Sequence, residues 1–592
     1  MANLQQQFAE GQRALQSGDH AGAASIFAGL VREHPEQPAV FHMLGLSLKK
    51  QGKPEEARDI FTAAVERHGS IAALHAELAS LLDDLGEGGA AVEAYDRAIA
   101  LDPRLLDARI DRALARHRHL DTVGGYRDLQ SLAEEHPGSA RIQLNLGLVA
   151  RKLGLLDEST AAVARVLELA PDSFKALRLD AQLAMDRGRP AVELFRKARK
   201  VDPGDKSAIA GEAAAFLAEN DTDSASRLLQ DTLEAEPGWN EGQRLLAQIR
   251  WQSGEGDDFT RGYRKALARE PRNHPLWCDY AIATARALGH DRALPIFAEA
   301  RRTAGEDLYL DNLEANSLCE LGELDRAGAL YETLAGIDDP AYRLPLIRYY
   351  LKVRDFEAAR DYGLALVEQG QGPDAWPYIS IAWRVLEDPQ WLWLEGDRDL
   401  PGMFDIDELI PELPALAERL RALHRWQTHP FDQSLRGGTQ TDGILFGRDD
   451  PEIRSLVGHI RRAVADYIAA LPPIDERHPV LSRPRGDFRF TGSWSVRLTD
   501  SGFHVNHIHN QGWISSALYV ALPDGVGDGE QGQDGWLALG EPPAEFGLDL
   551  PPLKLVRPVP GRLALFPSIM WHGTRPFSAG ERMTVAFDVA PN

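Results

Sequence analysis

Cysteine is almost absent from this chain. Among 592 residues only Cys278 and Cys319 occur, too few and too isolated for a disulfide framework or a cysteine-based metal site. Long apolar runs are missing as well. No stretch of about 18 apolar residues appears, so no membrane-spanning helix is expected. The opening MANLQQQFAEGQRALQ lacks the apolar core of a signal peptide. Positive charge is in short supply: 65 Lys and Arg against 89 Asp and Glu leave a formal net charge of −24. That excess opposes binding to duplex nucleic acid or an anionic membrane. These lacks together lead us to expect a cytoplasmic chain with neither nucleic acid nor membrane as partner. What remains is an ordinary globular composition, 44% hydrophobic and 26% charged, in a length too great for one core.

The first two thirds repeat. Proline or glycine recurs at Pro35, Gly69, Pro103, Pro137, Pro171, Pro203, Pro237, Pro271, Gly305, Pro340 and Pro373, most often 34 residues apart. Between these markers Ala57, Ala91 and Ser159 hold a small slot, while Phe61, Tyr95 and Val163 hold a bulky one. Small residues let paired helices approach, and the glycines Gly52, Gly86, Gly154 and Gly254 end the first helix of each pair. This pattern resembles tetratricopeptide repeats over roughly residues 5–390, about eleven units. The resemblance implies an all-α superhelix whose concave face holds a peptide or protein. The alternative is a scaffold that only positions or oligomerises its neighbour.

After PQWLWLEGDRDLPGMF the period is lost, and Trp391 and Trp393 are placed to cap the last repeat. Two amphipathic stretches follow, IDELIPELPALAERLRALHRW and DDPEIRSLVGHIRRAVADYIAAL, the second with Asp450 as N-cap and Pro451 at the first helical position. From Asp487 the pattern changes to alternation. FRFTGSWSVRL, WISSALYVALP, GWLALG, GRLALFP and RMTVAFDVA read as short strands between Gly, Pro and Asp turns, about eight in all. The expected architecture is therefore multidomain. Residues 1–395 form the repeat array, 396–486 a helical and loop bridge packing on the barrel, and 487–592 a β jelly roll.

GFHVNHIHNQGW, residues 502–513, places three of the chain's 18 histidines within six positions. Residues two apart on a strand share a face, so His507 and His509 point together, and His504 points away unless a bulge intervenes. His572 lies on a later strand, with Arg582 and Thr584 on one face of the next. Two ligands from one strand and one from another can hold a metal with positions left open, and a buried arginine can fork onto a carboxylate.

Here the sequence resembles the iron(II)- and 2-oxoglutarate-dependent oxygenases, over about residues 487–592, in a domain order shared with aspartyl/asparaginyl β-hydroxylases. The resemblance implies a double-stranded β-helix fold. It makes His507 and His572 iron(II) ligands, and it places Arg582 with Thr584 on the distal carboxylate of the co-substrate 2-oxoglutarate. One position departs from the pattern. The usual motif is His-x-Asp/Glu, and here its third residue is His509, which is a third ligand, a residue behind the ligands, or a contact to substrate. Tyr519 is a candidate for the co-substrate and equally a core residue. Trp494, Trp513 and Trp571 read as packing before substrate platforms, and Arg436 and Arg497 as anion partners of low specificity. The implied activity is hydroxylation of a peptide or protein held by the repeats. The alternatives are a catalytically silent jelly roll on a repeat scaffold, or a hydroxylase of a small or carrier-bound molecule.

Overall fold

The computed structural model describes residues 2–396, 399–524, 526 and 532–592. Asp397 and Arg398, where the repeat period ends, therefore lie outside the described residues. The chain forms two compact units, Met1–Leu183 and Ala184–Pro591. No described helix is long and apolar enough to cross a membrane.

The first unit is built of antiparallel helix pairs. In Pro38–Lys50 and Pro54–Arg67, proline opens each helix and Gly52, at φ +74°, makes the turn between them. The small slot at Ala57 and the bulky one at Phe61 are both buried. A Cβ on Gly45 would lie 2.5 Å from the Phe61 ring, so this helix crossing needs glycine. Ala91 with Tyr95 and Ser159 with Val163 repeat the arrangement.

The second unit continues with helix pairs and ends in a curled, β-rich domain of jelly-roll type. The last repeat helix, Gly372–Val385, packs directly on the sheet domain: Trp376, Tyr378 and Trp383 share a buried cluster with Phe546 and Trp571. Trp571 Nε1 donates to the Pro377 carbonyl at 3.0 Å. Trp393 closes the array, its ring 6.0 Å from Trp376 and its Nε1 donating to Asp475 at 2.9 Å.

Nine described strands make the sheet: β1 (Gly402–Asp405), β2 (Leu435–Gln440), β3 (Phe488–His507), β4 (Ile514–Ala521), β5 (Leu537–Leu539), β6 (Lys554–Val556), β7 (Arg562–Pro567), β8 (His572–Thr574) and β9 (Glu581–Pro591). Their order is β1-β7-β4-β9-β3-β8-β5-β6, with β2 added on β3. Seven strands thus follow Asp487, and the segment before it adds two more. Those two, GMFD and LRGGTQ, are too short or too glycine-rich to show an alternating pattern. The helix Pro451–Ala470 starts at Asp450, but that carboxylate makes no capping bond. It pairs instead with Arg419 at 2.6 Å and Arg448 at 2.7 Å.

Candidate metal and co-substrate site

The end of β3 and the start of β8 bring the histidines together. His507 pairs with His572 across the two strands, and His504 with Thr574. Register shifts between His504 and His507, so a bulge turns His504 toward the same side, its ring 5.8 Å from that of His507. Ring centroids stand 4.2 Å apart for His507 and His572, 5.1 Å for His507 and His509, and 5.0 Å for His509 and His572. One ligand atom from each of these three lies within 4.8 Å of the others. His504 stands outside that group, and its Nδ1 meets Ser434 Oγ at 3.2 Å.

The ring orientations are fixed from behind. His507 Nδ1 is 2.8 Å from the Val505 carbonyl, and His572 Nδ1 is 3.0 Å from the Met570 carbonyl. A carbonyl only accepts, so each Nδ1 carries the proton and each Nε2 keeps its lone pair. His509 Nδ1 is 2.7 Å from Asp588 Oδ1, which also accepts from Ser515 Oγ at 2.6 Å. With its one proton given to Asp588, Ser515 Oγ accepts from the Ser568 hydroxyl, 2.9 Å away. A carboxylate behind a ligating imidazole is the common way to set tautomer and basicity. Burial, followed by the neighbouring His509, pulls His507 down to about 3. His572 and His504 are lowered by burial too, so these rings are neutral near pH 7 and able to ligate.

Beside this group β9 carries Arg582 and Thr584 on one face, 2% and 4% exposed. Thr584 stands opposite Tyr519 of β4. The Arg582 guanidinium lies 5.1 Å from the Tyr519 ring centroid. No carboxylate among the described residues pairs with Arg582; its polar neighbour is the Tyr519 hydroxyl, and its Nε has no hydrogen-bond partner there. Burial lowers the Arg582 guanidinium and raises the Tyr519 phenol from their ordinary values. A buried, unpaired guanidinium costs several kcal/mol, and an incoming carboxylate would offset that cost. The residues present fit iron(II) and a dicarboxylate.

Among the other residues singled out from sequence, the Trp494 ring lies tilted against His509, with centroids 5.6 Å apart. Trp513 and Trp571 are packing residues, Trp513 Nε1 donating to the Val480 carbonyl at 2.9 Å. Arg497 is occupied by Glu581 at 2.6 Å, and Arg436 by the carbonyls of Gln433 and Leu435. Sequence reasoning missed Asp588 and Ser515. Asp588 shares the face of Arg582 and Thr584 by its even spacing on β9, and that was the available signal.

Comparison with known proteins finds two kinds of family match in the chain. Residues 492–588 match the family model described as "Putative 2OG-Fe(II) oxygenase". Residues 42–105 and 127–174 match one tetratricopeptide-repeat model, and 182–249 match another. The chain therefore carries tetratricopeptide repeats in its N-terminal region and a domain of that oxygenase family at its C-terminal end. Cellulose synthase operon protein C of Xanthomonas axonopodis pv. citri is 28% identical over 195 residues, 32% of this chain. This chain spans 13% of the length of that relative. A tetratricopeptide repeat protein from Parabacteroides merdae has TM-score 0.35 at 19% identity, covering 40% of this chain and 93% of its own. Yeast Tom70 has TM-score 0.33 at 13% identity, covering 66% and 98% respectively.

Proposed function

We propose that this protein is an iron(II)- and 2-oxoglutarate-dependent hydroxylase. His507, His509 and His572 would hold the metal, and Arg582, Thr584 and Tyr519 would receive the distal carboxylate of 2-oxoglutarate. The observation that carries this reading is the pairing of two features: three imidazoles with every Nδ1 engaged, beside a buried arginine that lacks a carboxylate. When bound, iron(II) and 2-oxoglutarate supply oxidising chemistry from dioxygen, with succinate and carbon dioxide as co-products. The protein's own part is orientation and shelter. Val505, Met570 and Asp588 hold the three rings, Arg582 binds and orients an anion, and the buried walls keep water from the centre. The repeats support a peptide or protein as substrate, bound in the cytoplasm, with residues 1–395, 396–486 and 487–592 as functional divisions.

Anaerobic titration of the purified protein with iron(II) and then 2-oxoglutarate tests the reading. The visible charge-transfer band of a chelated keto acid should form in wild type. It should be lost in His507→Ala and need far more co-substrate in Arg582→Ala. No band from folded, metal-loaded wild type would move the assignment to a silent jelly roll on a repeat scaffold.

A further inference from the structure

Far from the histidines in sequence, one helix pair of the second unit departs from the repeat. Its small slot, filled by Ala225 one period earlier and Ala293 one period later, holds Phe259. Phe259 is fully buried against Trp251 and Phe431, with centroids 5.4 and 5.8 Å away. The helix loses its first turn there. Gly256–Thr260 is a 3-10 turn, and the helix proper, Arg261–Arg269, runs 9 residues where its neighbours Thr222–Ala235 and His290–Ala304 run 14 and 15.

A cleft of about 370 Å³ opens beside the shortened helix, against Asn240–Gln252 and Thr222–Ala235. Arg250 forms part of its floor. One period away in either direction the same position holds Phe216 and Thr284, and Leu318 follows. An arginine thus occupies a core slot, 6% exposed, with its Nε unpartnered and no carboxylate paired to it among the described residues. By contrast Arg116, at the same slot elsewhere, pairs with Asp121 and Asp128. Gln243 lies beside Arg250. Its Nε2 donates to the Pro237 carbonyl at 3.1 Å, while its buried Oε1 has no partner. Gly262 keeps the space open: a Cβ there would stand 2.6 Å from Gln243 Oε1 and 3.2 Å from Arg250 Nη1. Arg261, Lys265 and Arg269 also line the cleft, against a single acid, Glu234. Lys265 engages Glu234, and Arg261 engages Glu255. Asp258, the other nearby carboxylate, is taken by Arg264.

We propose that this cleft binds a small molecule through a compact oxyanion, a carboxylate or phosphate group, held by Arg250. Guanidinium geometry matches either group in a two-point fork. The three outer cations would draw the anion in, and their exposed surface pairs cost little to rearrange. The volume lies near the lower end for small-molecule sites, roughly 300–1,000 Å³.

Calorimetric titration and thermal melts of the full chain, at constant ionic strength, test the proposal with inorganic phosphate and with acetate as probes. Wild type should bind one of the two and melt higher in its presence; which of the two responds identifies the group. Arg250→Met should bind that probe at least tenfold more weakly. Without the probe it should melt no lower than wild type, because the buried unpaired charge is gone. Gly262→Ala should lose the probe's effect while every charge remains. Both variants keep Arg582, so an anion response that survives in them belongs to the sheet domain and overturns the proposal. Absence of any wild-type response overturns it equally, as does an Arg250→Met protein that melts well below wild type.

Discussion

At His509 the chain has an imidazole where the family motif carries a carboxylate, and Asp588 stands one hydrogen bond behind it. The negative charge has moved outward by one residue and remains near the centre. Asp588→Asn keeps size and polarity but removes that charge. Its expected effect is a loss of cobalt(II) or iron(II) affinity on the order of 10–100-fold with the fold intact, read by metal titration beside a thermal melt. Unchanged affinity would place His509 outside the ligand set. The motif His507-x-His509 and the Arg582-x-Thr584 pair were legible in the sequence because each is local. Asp588 was not, because sheet register across 79 residues joins it to His509.

Among the elements, the helix Leu413–Leu423 is tied to the sheet by the residue that ends it. His424 meets Thr439 of β2 at 2.8 Å and Ser495 of β3 at 3.1 Å. Burial, then Arg497, pulls His424 down to about 4 from an ordinary 6.5. Between those values the unfolded chain takes up a proton that the folded chain refuses. Stability is therefore unaffected by this group above about pH 6.5 and falls as pH drops toward 4, by at most about 3 kcal/mol. Tm measured across that range should fall less steeply in His424→Gln. Some slope will remain, since His504, His507 and His572 shift in the same direction. An identical slope in the variant would mean that His424 does not govern this docking. The helix was legible from its amphipathic period. Its strand partner β2 was not, since Gly437 and Gly438 give a strand no side chains to alternate.

In the molecule as a whole, the 34-residue period announced the helix pairs, but no period could announce where the repeats become part of the sheet domain. Pro377, Tyr378 and Trp383 cover Trp571 and Phe546. Arg384 reaches across to the carbonyls of Gly540 and Pro551. A fragment of residues 184–592 should therefore be monomeric and melt cooperatively. A fragment of residues 391–592 should aggregate, because it exposes large aromatics each worth about 1.5–3 kcal/mol when buried. Gel filtration and calorimetry compare the two; a well-behaved short fragment would show that the last repeat helix is dispensable.

The position of β9 bears on how the protein is made. It lies between β3 and β4 at the middle of the sheet, yet it follows both in the chain. A ribosome releases the helix pairs first, and each can settle on its predecessor as it emerges. The sheet has no such option. Until β9 has been translated, β3 and β4 present open edges, and Arg582, Thr584 and Asp588 do not yet exist. A message truncated before codon 581 would thus yield a chain with its repeats and the Arg250 cleft complete, but with β3 and β4 unpaired by β9 and the arginine beside the three histidines missing.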